Sequence, residues 1–207
     1  MNFNTIKNII FDLGNVIINI DFDLTYQAFA KITNKNLEEV YNSFDKLDLW
    51  DKYEKGQLSN QEFINTLREA LEITVDDKEI IAAWNALLLD IPQKRIDRIL
   101  ALKKKYRIFI LSNTSDLHIL DVNRILKETR GIENLRHLVE KLYYSYEMGM
   151  RKPSDEIYLS VLKDSNLAAE ETLFLDDNFD NVIGARKIGI HAIHVTDKDL
   201  CDYLKEA

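Results

Sequence analysis

Four groups of polar residues in this 207-residue chain follow short apolar runs and have side chains that could act together in chemistry. They are Asp12 after Ile9–Phe11, Ser112 and Asn113 after Arg107–Leu111, Lys152 beyond Tyr143–Tyr146, and Asp176 and Asp177 after Thr172–Leu175. Taken singly, each is typical of a turn, a helix cap or a surface charge. Together, carboxylates, a hydroxyl, an amide and a lysine at matching strand ends indicate one site.

The charges of these groups predict what such a site would hold. Asp12, Asp176 and Asp177 carry three negative charges when ionised, so they would repel one another and any anion. A Mg²⁺ ion together with Lys152 supplies three positive charges and makes the group neutral. Mg²⁺ suits a few carboxylate oxygens and retains water. The sequence therefore predicts a magnesium site that a phosphate group can approach.

The apolar runs are predicted to be strands buried on both faces, as in a parallel sheet. The predicted strands are Asn8–Phe11, Arg107–Leu111, Thr172–Leu175, His191–Val195 and, more weakly, Tyr143–Tyr146. Helical patterns at Asp155–Lys163 and Asp180–Ile188 separate several of them. This alternation predicts an α/β fold with a Rossmann-like parallel sheet, in which ligands bind beyond the carboxyl ends of the strands.

More than ninety residues separate the first strand from Arg107, which is far more than one crossover helix needs. The interval has helical features, including the capping box Ser59-Asn60-Gln61-Glu62, and Pro92 is predicted to open another helix. We therefore predict a core domain made of residues 1–18 and 92–207, with an inserted helical cap domain at residues 19–91.

Composition limits the possible partners and compartment. There are 27 Lys and Arg residues against 35 Asp and Glu residues, a net charge of −8, which disfavours nucleic acid and anionic lipid. Cys201 is the one cysteine, so no disulfide can form within the chain. The apolar stretch Ile9–Ile20 is too short and polar to span a membrane. We expect a soluble cytoplasmic protein with a small phosphorylated substrate, and the oligomeric state stays open.

The motifs resemble those of the haloacid dehalogenase superfamily, subclass I, and occur in its order along nearly the whole chain. They are Phe11-Asp12-Leu13-Gly14-Asn15-Val16, Leu111-Ser112-Asn113-Thr114, Gly149-Met150-Arg151-Lys152-Pro153 and Phe174-Leu175-Asp176-Asp177-Asn178 with Asn181. Together with Tyr53-Glu54-Lys55-Gly56-Gln57-Leu58-Ser59, they are most similar to bacterial sugar-phosphate phosphatases, in particular those that hydrolyse α-glucose-1-phosphate.

The resemblance implies a role for most of these residues. Asp12 would attack phosphorus and form an aspartyl-phosphate, which water then hydrolyses. Asp12, the main-chain carbonyl of Gly14, and Asp177 helped by Asp176 would bind Mg²⁺. Lys152 would offset the negative charge that grows between nucleophile and phosphoryl group.

Two further groups would contact the substrate if the resemblance holds. Ser112 and the amide of Asn113 would hold the phosphate oxygens. The helical insertion would be a mobile cap that excludes water. Glu54 and Gly56 match the cap loop that faces the substrate and are candidates for specificity, although a simple helix-connecting turn explains them about as well.

One position departs from the family pattern. Most phosphatases of this superfamily carry a second Asp two residues after the nucleophile, which protonates the leaving group, but here that position is Gly14. Either the leaving group needs little help, as an anomeric sugar hydroxyl would, or Asp21 or Asp23 replaces the acid, or the protein is a weak enzyme. We favour the first explanation.

Two other classes of function remain possible. A metal-independent 2-haloacid dehalogenase would share Asp12 as nucleophile, but the adjacent carboxylates of Asp176 and Asp177 would oppose its carboxylate substrate. A non-catalytic or weakly active phosphate-binding protein would keep the fold without the chemistry.

Overall fold

The computed structural model describes residues 3–196 and 199–205. Its centre is a sheet of five strands in the order β3-β2-β1-β4-β5, in which each neighbouring pair is parallel. The strands are β1 (Asn8–Phe11), β2 (Arg107–Ser112), β3 (Lys141–Tyr144), β4 (Thr172–Asp176) and β5 (His191–His194). The predicted α/β class and the parallel sheet are confirmed.

The third strand differs in position from its prediction. The apolar run at Tyr143–Tyr146 suggested a strand there, but β3 ends at Tyr144 and Ser145 begins the short helix α8 (Ser145–Met148). The side-chain hydroxyl of Ser145 accepts a hydrogen bond from the backbone of Thr114 and donates one back, which fixes the chain at this bend. The run of aromatic residues extends past the end of β3, and the rings of Tyr144 and Tyr146 stack on each other there.

The strand sequences are continuously apolar because both faces of the sheet are covered. In β1, Ile9 and Phe11 enter the core on one face, whereas Ile10 enters the core on the other. Successive side chains of a strand point to opposite faces, so both must be apolar when helices pack on each side.

Helices cover these two faces of the sheet. They are α6 (Gln93–Leu102), α7 (Asp116–Arg130), α8, α9 (Asp155–Asp164), α10 (Phe179–Lys187) and α11 (Leu200–Tyr203), with short 3₁₀ turns at Phe3–Thr5, Leu135–His137 and Ala169–Glu171. Pro92 lies at the N-cap of α6, as its fixed φ predicts. In residues 3–196 and 199–205, no helix is long and apolar enough to cross a membrane.

Five helices form the insertion between β1 and α6. They are α1 (Phe22–Thr33), α2 (Leu37–Leu47), α3 (Leu49–Glu54), α4 (Asn60–Leu71) and α5 (Asp77–Asn85). The capping box at Ser59 and Glu62 forms as predicted and begins α4. A second capping box, between Asn36 and Glu39, begins α2.

The inserted helices pack around an apolar core of their own, in which Trp84 lies against Phe44, Tyr53 and Phe63. The two connections to the sheet domain run side by side, and Ile20 and Leu88 form an antiparallel bridge. This packing supports the division at residues 19–91, which we retain as a proposal. The outermost residues of the predicted core, 1–2 and 206–207, and residues 197–198 lie outside the described residues.

Candidate active site

Lys152 joins three of the strand ends at the carboxyl edge of the sheet. Its ammonium group donates to Oδ1 of Asp12 at 2.7 Å, to Oδ2 of Asp176 at 2.6 Å and to the carbonyl of Leu111 at 2.9 Å. Asp12 directly follows β1, and its backbone N–H donates to the carbonyl of Leu175 in β4 at 2.8 Å. The parallel register of β1, β2 and β4 therefore brings Asp12, Leu111 and Asp176 together around the ammonium of Lys152, although they are far apart in sequence.

Burial sets the protonation of this cluster. It raises the pKa of Asp12 to about 7, against the opposing effect of Lys152. Burial also raises the pKa of Asp177. Burial acts to lower the pKa of Lys152, but Asp12 and Asp176 together hold it above its ordinary value. The lysine is therefore charged, and its single charge does not compensate three ionised carboxylates.

The arrangement fits a divalent cation. Asp12, Asp176 and Asp177 each offer a carboxylate oxygen, and these oxygens all lie within 4.8 Å of one another. Oxygen ligands of this kind are those that Mg²⁺ takes. Gly14, whose main-chain carbonyl is the fourth predicted ligand, lies two residues beyond Asp12 in the same loop.

The two adjacent acids have different surroundings. Asp176 is fully buried, and its oxygens accept hydrogen bonds from Lys152, from the side chain of Asn181 and from the backbone N–H of Asn178. Asp177 is half-buried, and Asn15 donates to its Oδ2 at 3.0 Å. The oxygens of Asp177 accept fewer hydrogen bonds than those of Asp176 and are therefore more available to a metal.

Ser112 and Asn113, the residues predicted to hold phosphate oxygens, lie at the end of β2 beside Lys152. Asn113 exchanges two hydrogen bonds with the backbone of Lys152, each of 2.9 Å. Its side chain therefore positions the lysine, and the predicted phosphate contact falls to its backbone N–H. Ser112 is buried, and the bond from its hydroxyl to the carbonyl of Asn113 is long, at 3.4 Å.

The predicted cap residues lie at the boundary between the helical insertion and the sheet domain. Glu54 is 5% exposed, and its Oε1 accepts a hydrogen bond of 3.0 Å from the indole of Trp50. Its Oε2 lies 2.9 Å from the guanidinium of Arg151, which belongs to the sheet domain. Gly56 has φ of +65°, and a Cβ there would lie 2.1 Å from the carbonyl oxygen of Tyr146. Only glycine allows this close approach without displacement.

A small, partly open cavity of about 50 Å³ is lined by residues of both the helical insertion and the sheet domain. Its lining includes Gly14, Glu54, Ser112 and Asn113, which were all predicted from the sequence to belong to the site. Most of the remaining lining is apolar and comes from both domains: Leu13, Ile18, Ile20, Phe22, Trp50, Leu87, Leu88 and Val122. Thr114 and His118 complete it. The cavity thus marks where the helical insertion meets the sheet domain beside Gly14 and Ser112.

Three residues that contact the predicted site residues were not themselves predicted to act there: Asn15, Arg151 and Asn181. Asn15 and Asn181 stood inside recognised motifs, and their amides orient Asp177 and Asp176. Arg151 binds the cap through Asp51 and Glu54, each at 2.9 Å. Its position next to Lys152 was visible in the sequence, but nothing there indicated which acids it meets.

The chain belongs to the haloacid dehalogenase-like hydrolases, whose family model matches residues 6–189. It is 32% identical over 184 residues to D-ribitol-5-phosphate phosphatase of Bacteroides thetaiotaomicron, with 89% of each chain covered.

Solved structures show the same relationship. HAD family enzyme BT-2542 of Bacteroides thetaiotaomicron, in complex with magnesium and inorganic phosphate, superposes with a TM-score of 0.88 at 38% identity, covering 96% of this chain and 98% of that one. A HAD-like family hydrolase of Porphyromonas gingivalis gives a TM-score of 0.86 at 29% identity, covering 98% and 99%. The predicted family, fold class, phosphatase class and magnesium cofactor are confirmed.

Proposed function

We propose that this phosphatase hydrolyses a phosphorylated sugar or sugar alcohol through an aspartyl-phosphate on Asp12, with Mg²⁺ as cofactor. The observation that carries the proposal is the lysine bridge: Lys152 contacts the carboxylates of both Asp12 and Asp176 within 2.7 Å. A carboxylate held this way has a fixed position, and the ammonium compensates part of its charge. These are the properties that a nucleophile needs next to an anionic phosphate.

The reaction divides into two displacements. A carboxylate oxygen of Asp12 attacks phosphorus, forming an acyl-phosphate bond while the bond to the ester oxygen breaks. Water then attacks the same phosphorus and releases phosphate and the free carboxylate. Lys152 holds Asp12 in position and offsets the negative charge, while the hydroxyl of Ser112 and the backbone N–H of Asn113 are placed to bind phosphate oxygens.

The carboxylates of Asp12 and Asp177, supported by Asp176 and by the main-chain carbonyl of Gly14, would hold the metal. Bound there, Mg²⁺ supplies the positive charge that lets a phosphate approach three acids. This also disfavours the dehalogenase alternative, because a carboxylate substrate without a cation would face the same three acids.

The substrate class rests on the cap and on the relatives. Glu54 lines the cavity and Gly56 lies against Tyr146 of the sheet domain, which makes both candidates for specificity. The named activity of the ribitol-5-phosphate relative supports a sugar-alcohol phosphate. Glucose-1-phosphate, which the sequence motifs favour, is the second candidate.

A screen of phosphomonoesters with Mg²⁺, and with EDTA in its place, tests the proposal. We expect hydrolysis of ribitol-5-phosphate, glucose-1-phosphate or a related ester that EDTA abolishes and added Mg²⁺ restores. Activity that persists without divalent cations, or the absence of any phosphatase activity, would contradict the proposal. Release of halide from a 2-haloacid would favour the dehalogenase instead.

A further inference from the structure

The position that usually carries the acid–base residue is Gly14, and the end of the Ile20 side chain lies in the space beside it. A Cβ at Gly14 would lie 2.7 Å from Cδ1 of Ile20, closer than real Cβ contacts allow. An Asp at this position would therefore require Ile20 to move. The function of the missing carboxyl must come from elsewhere if the substrate is an unactivated alkyl ester.

The two acids nearest in sequence do not reach the cavity. Asp21 caps α1, and its side chain accepts a hydrogen bond from the backbone N–H of Asp23. Both residues are exposed, and neither lines the cavity that contains Gly14. The geometry therefore gives no support to either as a replacement.

Glu54 is the only carboxylate among the described residues that line this cavity. It reaches the cavity from the end of α3, where Trp50 donates to its Oε1, while its Oε2 lies 2.9 Å from Arg151 but has no hydrogen-bond donor among the described residues. The other titratable side chain in the lining is His118, which donates from Nε2 to the backbone carbonyl of Trp84 and stacks on the indole ring of the same residue. Burial lowers the pKa of His118 to about 4, so it is neutral at pH 7 and a poor proton donor.

We propose that Glu54 is the general acid and base of this enzyme, supplied by the cap in place of the carboxyl missing at position 14. The inference rests on the proposed phosphatase function. In the first displacement, the proton on the Glu54 carboxyl passes to the ester oxygen as its bond to phosphorus breaks. In the second, Glu54 accepts a proton from the attacking water, which restores its starting state.

The charges around Glu54 are consistent with a carboxyl that retains a proton. Burial raises its pKa, while the positive charges of Arg151 and Lys152 oppose that effect. Arg151 is shared with Asp51, to which it donates at 2.9 Å, and Asp51 also pairs with Lys55 at 2.7 Å. The guanidinium thus serves two carboxylates and does not fully compensate Glu54.

The test compares Glu54→Gln with the wild type in single-turnover experiments at saturating Mg²⁺. The substrates are aryl phosphates whose leaving groups differ in acidity, and ribitol-5-phosphate as an alkyl ester. Loss of an acid should slow the alkyl ester by about 10² to 10⁴-fold, while the most acidic aryl leaving group needs little protonation and is slowed far less. Phosphorylated Asp12 should also accumulate in E54Q during turnover of the aryl ester, because the second step lacks its base.

Asp23→Asn is the matched control, since it removes an exposed carboxylate of the helical insertion that does not line the cavity. It should leave the dependence on leaving-group acidity as in the wild type. Equal dependence in E54Q and wild type would overturn the proposal, as would an equal slowing of all esters in both variants. If the wild type hydrolyses no phosphate ester with Mg²⁺, the proposed function fails first, and the role of Glu54 falls with it.

Discussion

At the residue scale, the site combines three neighbouring carboxylates with the single buried ammonium of Lys152. Lys152 is 2% exposed and contacts two carboxylates, while a third carboxylate lies close by. A buried charge is tolerated only when it is paired, so each member of this cluster stabilises or destabilises the others. The effect of removing one member on stability should therefore depend on whether a carboxylate or the ammonium is lost.

Asp12→Asn should abolish activity without weakening the fold. The amide cannot attack phosphorus, so we expect turnover to fall by about 10⁴-fold or more. Because burial disfavours the charged form of Asp12, whose pKa rises to about 7, a neutral side chain of the same shape removes a cost. Thermal unfolding should show an unchanged or higher Tm. A Tm several degrees lower would mean that the carboxylate stabilises the fold.

Lys152→Met should destabilise the protein because it leaves Asp12 and Asp176 without their cation. Breaking a buried pair costs about 3 kcal/mol or more, which urea unfolding would measure. Added Mg²⁺ should restore part of this loss. Lys187→Met is the control, since its pair with Asp155 at 2.6 Å is exposed and should contribute at most about 1 kcal/mol. Equal losses in both variants would refute this account.

At the scale of elements, the sequence predicted the strands and helices better than the contacts between them. The short apolar runs predicted strands that are buried on both faces. Because parallel strands end at the same edge of the sheet, the polar residues that follow these runs, Asp12, Lys152 and Asp176, were predicted to lie together. The end of β3 was missed since aromatic residues continue into α8.

Contacts across the cap boundary were not predictable from the sequence. The pairing of Arg151 with Glu54, and the approach of Gly56 to Tyr146, depend on how two separately folded segments pack. No local periodicity or capping signal encodes such a distance. The position of the Ile20 side chain next to Gly14 is a contact of the same kind.

Gly56→Ala should loosen the contact between the cap loop and α8. The residue has φ of +65°, and an added Cβ would clash with the backbone of Tyr146. Gly131→Ala is a matched control, because its φ of +67° gives similar strain but nothing lies within 4 Å of the added atom. We expect G131A to lose about 1 kcal/mol in urea unfolding, and G56A at least about 1 kcal/mol more, with a raised KM. Equal losses would show that the loop moves freely.

At the scale of the whole molecule, cap and sheet domain are joined through a buried aromatic contact. His118 of α7 stacks on Trp84 of α5, with ring centroids 4.6 Å apart, and its Nε2 lies 3.3 Å from the carbonyl of Trp84. Leu117 of the same helix packs into the core of the cap. A charge on this histidine would therefore be placed inside the contact between the two domains.

The stability of the protein should fall as the pH drops from about 6.5 to 4. Burial lowers the pKa of His118 from 6.5 to about 4, so in this window the unfolded chain binds a proton that the folded one does not. The full effect is about 3 kcal/mol. His118→Phe keeps a ring against Trp84 but cannot titrate. Urea unfolding at several pH values should show a steeper loss in the wild type than in H118F, and parallel curves would contradict the assignment.

Arg151 and Lys152 are consecutive residues whose side chains contact different parts of the molecule. The first contacts Asp51 and Glu54 of the helical domain, and the second contacts the carboxylate of Asp12. Asn113 clamps the main chain of Lys152 on both sides of its side chain. A displacement of the five-helix segment would break the guanidinium pairs of Arg151, whereas the clamp of Asn113 would keep the ammonium of Lys152 beside Asp12, so the helical segment could open for exchange of substrate and product while the reacting acid keeps its counter-charge.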